Sequence, residues 1–180
     1  MTIRMPLYKD IQGDNDLRRN SARVAAYKSY LQAVAEYLPD ETKAFALSDW
    51  YYSDFHRSPH DSWVDSVEIG EDASRERHQN RQLWIRISLL SASHAGNIHF
   101  HYTRVTSYHL DGEWPLNRGG AKHGDWLADE ITLASGGQLL HEISFPSGIA
   151  WRIQSGSIRY EYLPIAGKDQ GNPSSPALKE

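Results

Sequence analysis

Between Phe55 and Leu110 the chain carries three consecutive runs in which apolar and polar residues alternate. They are HDSWVDSVEI (His60 to Ile69), RQLWIRISLL (Arg81 to Leu90) and NIHFHYTRVTSYHL (Asn97 to Leu110). A period of two sends successive side chains to opposite faces, so each run predicts an antiparallel strand with one face in a core. Leu83, Ile85, Ile87 and Leu89 form the cleanest apolar face, with Trp84, Arg86 and Ser88 opposite. Trp63, Val67 and Ile69 share one parity, with Asp65 between them, and Ile98, Phe100 and Tyr102 share the next. The short link His94-Ala95-Gly96-Asn97 predicts a tight turn, because Gly and Asn tolerate positive φ.

The flanks differ in period. Leu17, Val24, Tyr27, Leu31, Val34 and Leu38 recur at spacings of three, four and seven, which predicts one helix from Asp14 to Leu38. Asp14, Asn15 or Asp16 caps it and Pro39 stops it. Asp40 opens a shorter helix through Ala44, Phe45 and Leu47, and the aromatic stretch from Trp50 to Phe55 leads into the sheet and fills the core. Beyond these runs, Leu127 to Leu133, Leu139 to Phe145 with a turn at Phe145-Pro146-Ser147-Gly148 into Trp151 and Ile153, and Ile158 to Tyr162 predict the remaining strands. Helices followed by strands, rather than alternating with them, predict an α+β fold. The expected architecture is a helical lead-in (14–55) packed on an antiparallel meander or sandwich of about six strands (61–163), all in one domain (1–163). The Gly-, Pro- and Ser-rich end (164–180) predicts a disordered tail.

Composition narrows the chemistry. The chain has no cysteine, so disulfides, zinc fingers, iron–sulfur clusters and cysteine nucleophiles are excluded. A net charge of −4 offers no general field for nucleic acid. No apolar run approaches a membrane span, and the first residues lack the apolar core of a signal peptide, so a cytoplasmic location is expected. Six Trp and ten Tyr are a large aromatic supply, suited to a β-rich core or a binding surface.

Three places could carry a site. His99 and His101 leave the same face of one strand, a spacing that lets two imidazoles converge on a divalent metal. His94, His109, His141 and Glu142 are candidates by type for a further ligand. The pair His60-Asp61 differs from the HD phosphohydrolases, which place it in a helical bundle; here a strand follows at once. Its expected role, with Ser62, is a clasp at the strand entrance, their short oxygens bonding nearby backbone N–H groups. The glycine-rich stretch from Asp111 to Asp125 lacks the Gly-Lys-Ser/Thr ending of a phosphate loop. If it orders on a partner, Trp114 is the natural anchor and Arg118 and Lys122 the natural charges. No serine-hydrolase elbow or dinucleotide fingerprint is present, and Asp129 and Glu130, pointing to opposite faces, cannot act as a dyad.

The stretch from Phe55 to Ile69 resembles several groups of small, uncharacterised bacterial β-rich proteins whose body opens on HDS or a variant. The residues that carry the likeness are His60, Asp61, Ser62, Val64 and Val67. Some of those groups are thought to include immunity proteins of toxin systems, which implies a protein partner; the likeness brings no catalytic residue to carry over. The expected function is therefore a non-enzymatic protein-binding module without a cofactor. The alternative is a metal-dependent enzyme or small-ligand binder using His99 and His101. A homodimer joined at a sheet edge or the helix stripe is the remaining partner of interest.

Overall fold

The computed structural model describes residues 17–72, 81–112, 124–146 and 148–166. Three helices precede eight strands: α1 (Leu17–Ala33), α2 (Asp40–Ala46), α3 (Trp50–Ser53), β1 (Trp63–Asp72), β2 (Gln82–Leu90), β3 (Gly96–Thr103), β4 (Ser107–Leu110), β5 (Ala128–Leu133), β6 (Leu139–Ser144), β7 (Ala150–Ser155) and β8 (Ser157–Pro164). The strands form two antiparallel sheets of four, ordered β1-β2-β3-β8 (sheet A) and β4-β7-β6-β5 (sheet B). The fold is α+β, as expected, with two sheets and eight strands in place of about six. Their apolar faces meet in one core that includes Ile85, Ile87, Leu89, Ile98, Phe100, Ile131, Leu139, Ile143, Trp151 and Ile153.

The two extra strands arise where expected runs are divided. The run from Asn97 to Leu110 is split at Arg104, whose φ of 52° turns the chain. On one side β3 belongs to sheet A, and on the other β4 joins sheet B. The expected turn after Phe145 separates β6 from β7, and only Gly156 parts β7 of sheet B from β8 of sheet A. The two crossings are tied together, since Gly156 N–H donates to the Thr103 carbonyl (3.0 Å) and the Arg104 guanidinium donates to the Gly156 carbonyl (3.2 Å). A Cβ on Gly156 would collide with that guanidinium.

The parity expected for β1 is also corrected. Its register against β2 slips between Val64 and Ser66, so Asp65 is an extra residue in a bulge. One inserted residue reverses every later side chain. Val64 and Val67 therefore pair with the inward Leu89 and Ile87, whereas Trp63 pairs with Leu90 on the outer face. At the β2–β3 turn the positive φ belongs to His94 (54°), not to Gly96 or Asn97, which already lie in β3. Gly96 has a different reason to be glycine: the Tyr162 ring occupies the space a Cβ would need.

The lead-in helices seal two sheet edges. An edge strand leaves a row of N–H and C=O groups unpaired. On β5, Tyr27 of α1 accepts from Ile131 N–H (2.5 Å) and donates to the Ile131 carbonyl (3.2 Å), and Tyr30 accepts from Leu133 N–H (2.9 Å). On β8, Thr42 of α2 does the same for Ile158, at 3.0 and 2.9 Å. A side-chain hydroxyl, both donor and acceptor, thus takes the place of a neighbouring strand. α1 ends at Ala33, short of the expected Leu38, and a 3-10 turn (Ala35–Tyr37) follows. Asp40 is the first residue of α2 and makes no cap; the residue in the cap position is Pro39. Of the helix stripe, Tyr27, Leu31 and Leu38 are buried and Val24 is exposed. Of the aromatic stretch, Tyr51 enters the core and Phe55 remains exposed. β8 extends through Pro164, and Ile165 N–H bonds the Ala95 carbonyl (2.8 Å); positions 167–180 of the expected tail lie outside the described residues. Among the described residues no helix is long and apolar enough to cross a membrane.

Candidate functional site

His60, Asp61 and Ser62 sit at the entrance to β1. His60 Nδ1 lies 3.1 Å from Asp61 Oδ2, and both side chains are exposed. The bonds that fix this entrance are largely backbone bonds: Asp61 N–H donates to the Trp126 carbonyl and Trp126 N–H to the Ser62 carbonyl, both at 2.9 Å. Asp61 adopts a φ of 60°, where a short polar residue is best tolerated. Ser62 is buried, and its hydroxyl donates to the Ser58 carbonyl (3.3 Å) rather than accepting from an N–H.

His99 and His101 leave the outer face of β3, half-buried, with ring centroids 6.4 Å apart. His99 Nδ1 is 2.8 Å from the Ser88 hydroxyl, and Arg86 Nε donates to His101 Nδ1 at 3.4 Å. Burial first, then the Arg159 and Arg86 charges, hold His101 below the usual histidine range. The candidate third ligands are elsewhere. His94 packs edge-on against Trp63 (4.9 Å), His109 lies on sheet B opposite Arg152, Glu142 pairs with Arg152 (2.8 Å), and His141 is fully buried. Among the described residues no three His, Asp or Glu side chains gather as a metal site. Trp114, Arg118 and Lys122 lie outside the described residues.

Two arrangements stand out that the sequence reading did not assemble. The first is a polar network inside the core. Asp129 Oδ1 accepts from Trp126 Nε1–H (3.0 Å), and its Oδ2 accepts from the Tyr51 hydroxyl (2.6 Å) and His141 Nε2–H (3.0 Å). His141 Nδ1 in turn faces the Tyr102 hydroxyl at 2.8 Å. The pattern closes when Tyr102 donates to Nδ1 and Nε2–H donates to Asp129, so both ring nitrogens of His141 and both carboxylate oxygens of Asp129 are matched. Burial, together with the Asp129 charge, raises the Tyr51 and Tyr102 hydroxyls well above the ordinary tyrosine range, which keeps both as donors. The network ties α3, β3 of sheet A, and β5 and β6 of sheet B. Phe100 and Trp126 stack beside it, 5.2 Å apart and nearly parallel. His141 is fully buried and the Asp129 side chain is 7% exposed, so the network is closed to a substrate and holds the layers together. A signal existed: Asp129 shares the parity of Ile131 and Leu133, and His141 that of Leu139 and Ile143. Each is a titratable group at a core position, on adjacent strands.

The second arrangement is the outer face of sheet A. The strand registers set three cross-strand rows there: Trp63–Leu90–Asn97–Leu163, Ser66–Ser88–His99–Glu161 and Glu68–Arg86–His101–Arg159. Trp63 and Leu163 are 43% and 45% exposed. Trp84 lies farther along, its indole over Gly70. This is an open surface with apolar groups at one end and cations near the other. Comparison with protein-family models, curated proteins and solved structures yields no match.

Proposed function

We propose that the protein is a non-enzymatic protein-binding module and that the outer face of sheet A is its contact surface. The observation that carries this reading is the row Trp63–Leu90–Asn97–Leu163, which exposes large apolar side chains on a flat sheet beside a polar rim. Interfaces draw most of their energy from a few such anchors, with polar groups around them excluding water. The core network speaks in the same direction. The buried pair His141 and Asp129 is engaged in holding the layers together.

The test is affinity capture from the cell that encodes the protein, using wild type, Trp63→Ser, Leu163→Asp and a control, Thr132→Asp, on the outer face of sheet B. A stoichiometric partner retained by wild type and the control but lost with Trp63→Ser and Leu163→Asp supports the reading. Capture indifferent to those two substitutions, or no stoichiometric partner for the folded protein, overturns it.

A further inference from the structure

The third row of the same face has an uneven charge. Across β1, β2, β3 and β8 it reads Glu68, Arg86, His101, Arg159. Glu68 reaches Arg86 only at 3.8 Å, and the Arg159 guanidinium makes no hydrogen bond or ion pair among the described residues. The comparable row on sheet B reads Glu130, Glu142, Arg152, His109, and there Glu142 holds Arg152 at 2.8 Å. One sheet has surplus cation where the other has surplus acid. Arg86, His101 and Arg159 are consecutive cross-strand neighbours, so the two guanidinium groups flank one imidazole that accepts from Arg86. Adjacent strands are about 4.8 Å apart, so one carboxylate above His101 can reach both guanidinium groups.

We infer that the partner presents acidic side chains to the Arg86–His101–Arg159 row while an apolar group of the partner meets Trp63 and Leu163. This rests on the reading that sheet A is the contact face. The two rows are four residues apart along β2, from Arg86 to Leu90, about 13 Å at strand rise. That spacing fits a protein segment carrying both an apolar residue and a carboxylate. The surroundings disfavour a polyanion such as nucleic acid. Glu161 borders the cationic row on β8, and Glu68 and Asp72 lie on the same face of β1, all exposed. A continuous phosphate backbone crossing this face would meet those carboxylates, whereas a discrete Asp or Glu need not.

The experiment is a nuclear magnetic resonance titration of the full chain with tetraglutamate, and separately with a single-stranded oligonucleotide of equal charge. Tetraglutamate is expected to shift the signals of Ser88, His99, His101 and Arg159 and to leave those of His109 and Arg152 in place. Arg159→Gln and Arg86→Gln should each weaken that binding by roughly tenfold, and Arg159→Lys should restore part of it. Shifts that ignore the arginine variants, no shift at tens of millimolar, or tighter binding of the oligonucleotide would each overturn the inference. Capture of the cellular partner separates the two proposals. Loss with Trp63→Ser but not with Arg159→Gln or Arg86→Gln leaves the contact face standing and removes the acidic partner.

Discussion

Replacing Asp129 with Asn should expose how much of the fold depends on one buried carboxylate. Asn keeps the shape of Asp but offers one acceptor oxygen and one amide donor in place of two acceptors. If the amide nitrogen takes the position of Oδ1, it meets Trp126 Nε1–H, donor against donor. If it takes the position of Oδ2, it meets the Tyr51 hydroxyl and His141 Nε2–H together. Either way at least one buried donor loses its acceptor, at about 1–3 kcal/mol, and the surviving bonds lose their charge assistance. The expected destabilisation is about 2–4 kcal/mol, a large part of the ~5–15 kcal/mol that holds a typical domain together. Tyr51→Phe removes a single bond to the carboxylate and should cost about 1.5–3 kcal/mol. Since both substitutions break the same Tyr51–Asp129 bond, the double variant should fall short of the sum by at least about 1 kcal/mol. Urea denaturation followed by tryptophan fluorescence and by circular dichroism measures all three, with Trp126 beside the altered group. Asp129→Asn within about 0.5 kcal/mol of wild type, or additive costs in the double variant, would refute the network as the tie between the layers.

Other expectations follow from single contacts. Tyr27→Phe and Thr42→Val should each cost about 1–3 kcal/mol and speed amide exchange at Ile131 and Ile158 respectively, because each leaves an edge N–H and C=O without its hydroxyl partner. His101 is held below the usual histidine range, so the unfolded chain takes up its proton first as the pH falls. Stability should therefore drop as the pH falls from about 7 through the ordinary histidine range and level off below the folded value, and His101→Gln should flatten that drop in paired urea titrations. Gly96→Ala should lower stability by about 1–3 kcal/mol by forcing the Tyr162 ring aside, with part recovered on adding Tyr162→Leu, as read by thermal melting.

The parts of the fold legible in the sequence are those that depend on neighbours a few residues apart. The inward face of β2, the inward Ile98, Phe100 and Tyr102, and the outward His99 and His101 all follow from alternation, because the side-chain period of a strand is fixed by its backbone. The outward face of Trp63 is not legible, because parity is conserved only while no residue is inserted, and Asp65 is such an insertion. The break at Arg104 left a trace in the sequence, because alternation lapses at Thr103-Arg104 and again at Thr106-Ser107, but nothing local says that the two halves join different sheets. The two site arrangements depend on register between strands. Arg86, His101 and Arg159 become one row only when three strands far apart in sequence are aligned. The Asp129 network likewise draws Tyr51 from a helix 78 residues away. His141 and Asp129 at core parities were the local trace of that network, visible one residue at a time but not as a set.

The hydroxyl caps on β5 and β8 also bear on the order in which the chain can be built. Tyr27 is made 104 residues before Ile131, and Thr42 116 residues before Ile158. During synthesis the helices emerge first and have nothing to cap. β5 then waits for its neighbours, and β8, the last strand of the sandwich, must arrive before α2 finds its partner. Such distant pairings make for slow folding, since loop closure precedes any reward from contact. A ribosome stalled before Ile158 would hold a nascent chain with β3 unpaired on its β8 side, a state exposed to aggregation and dependent on chaperones.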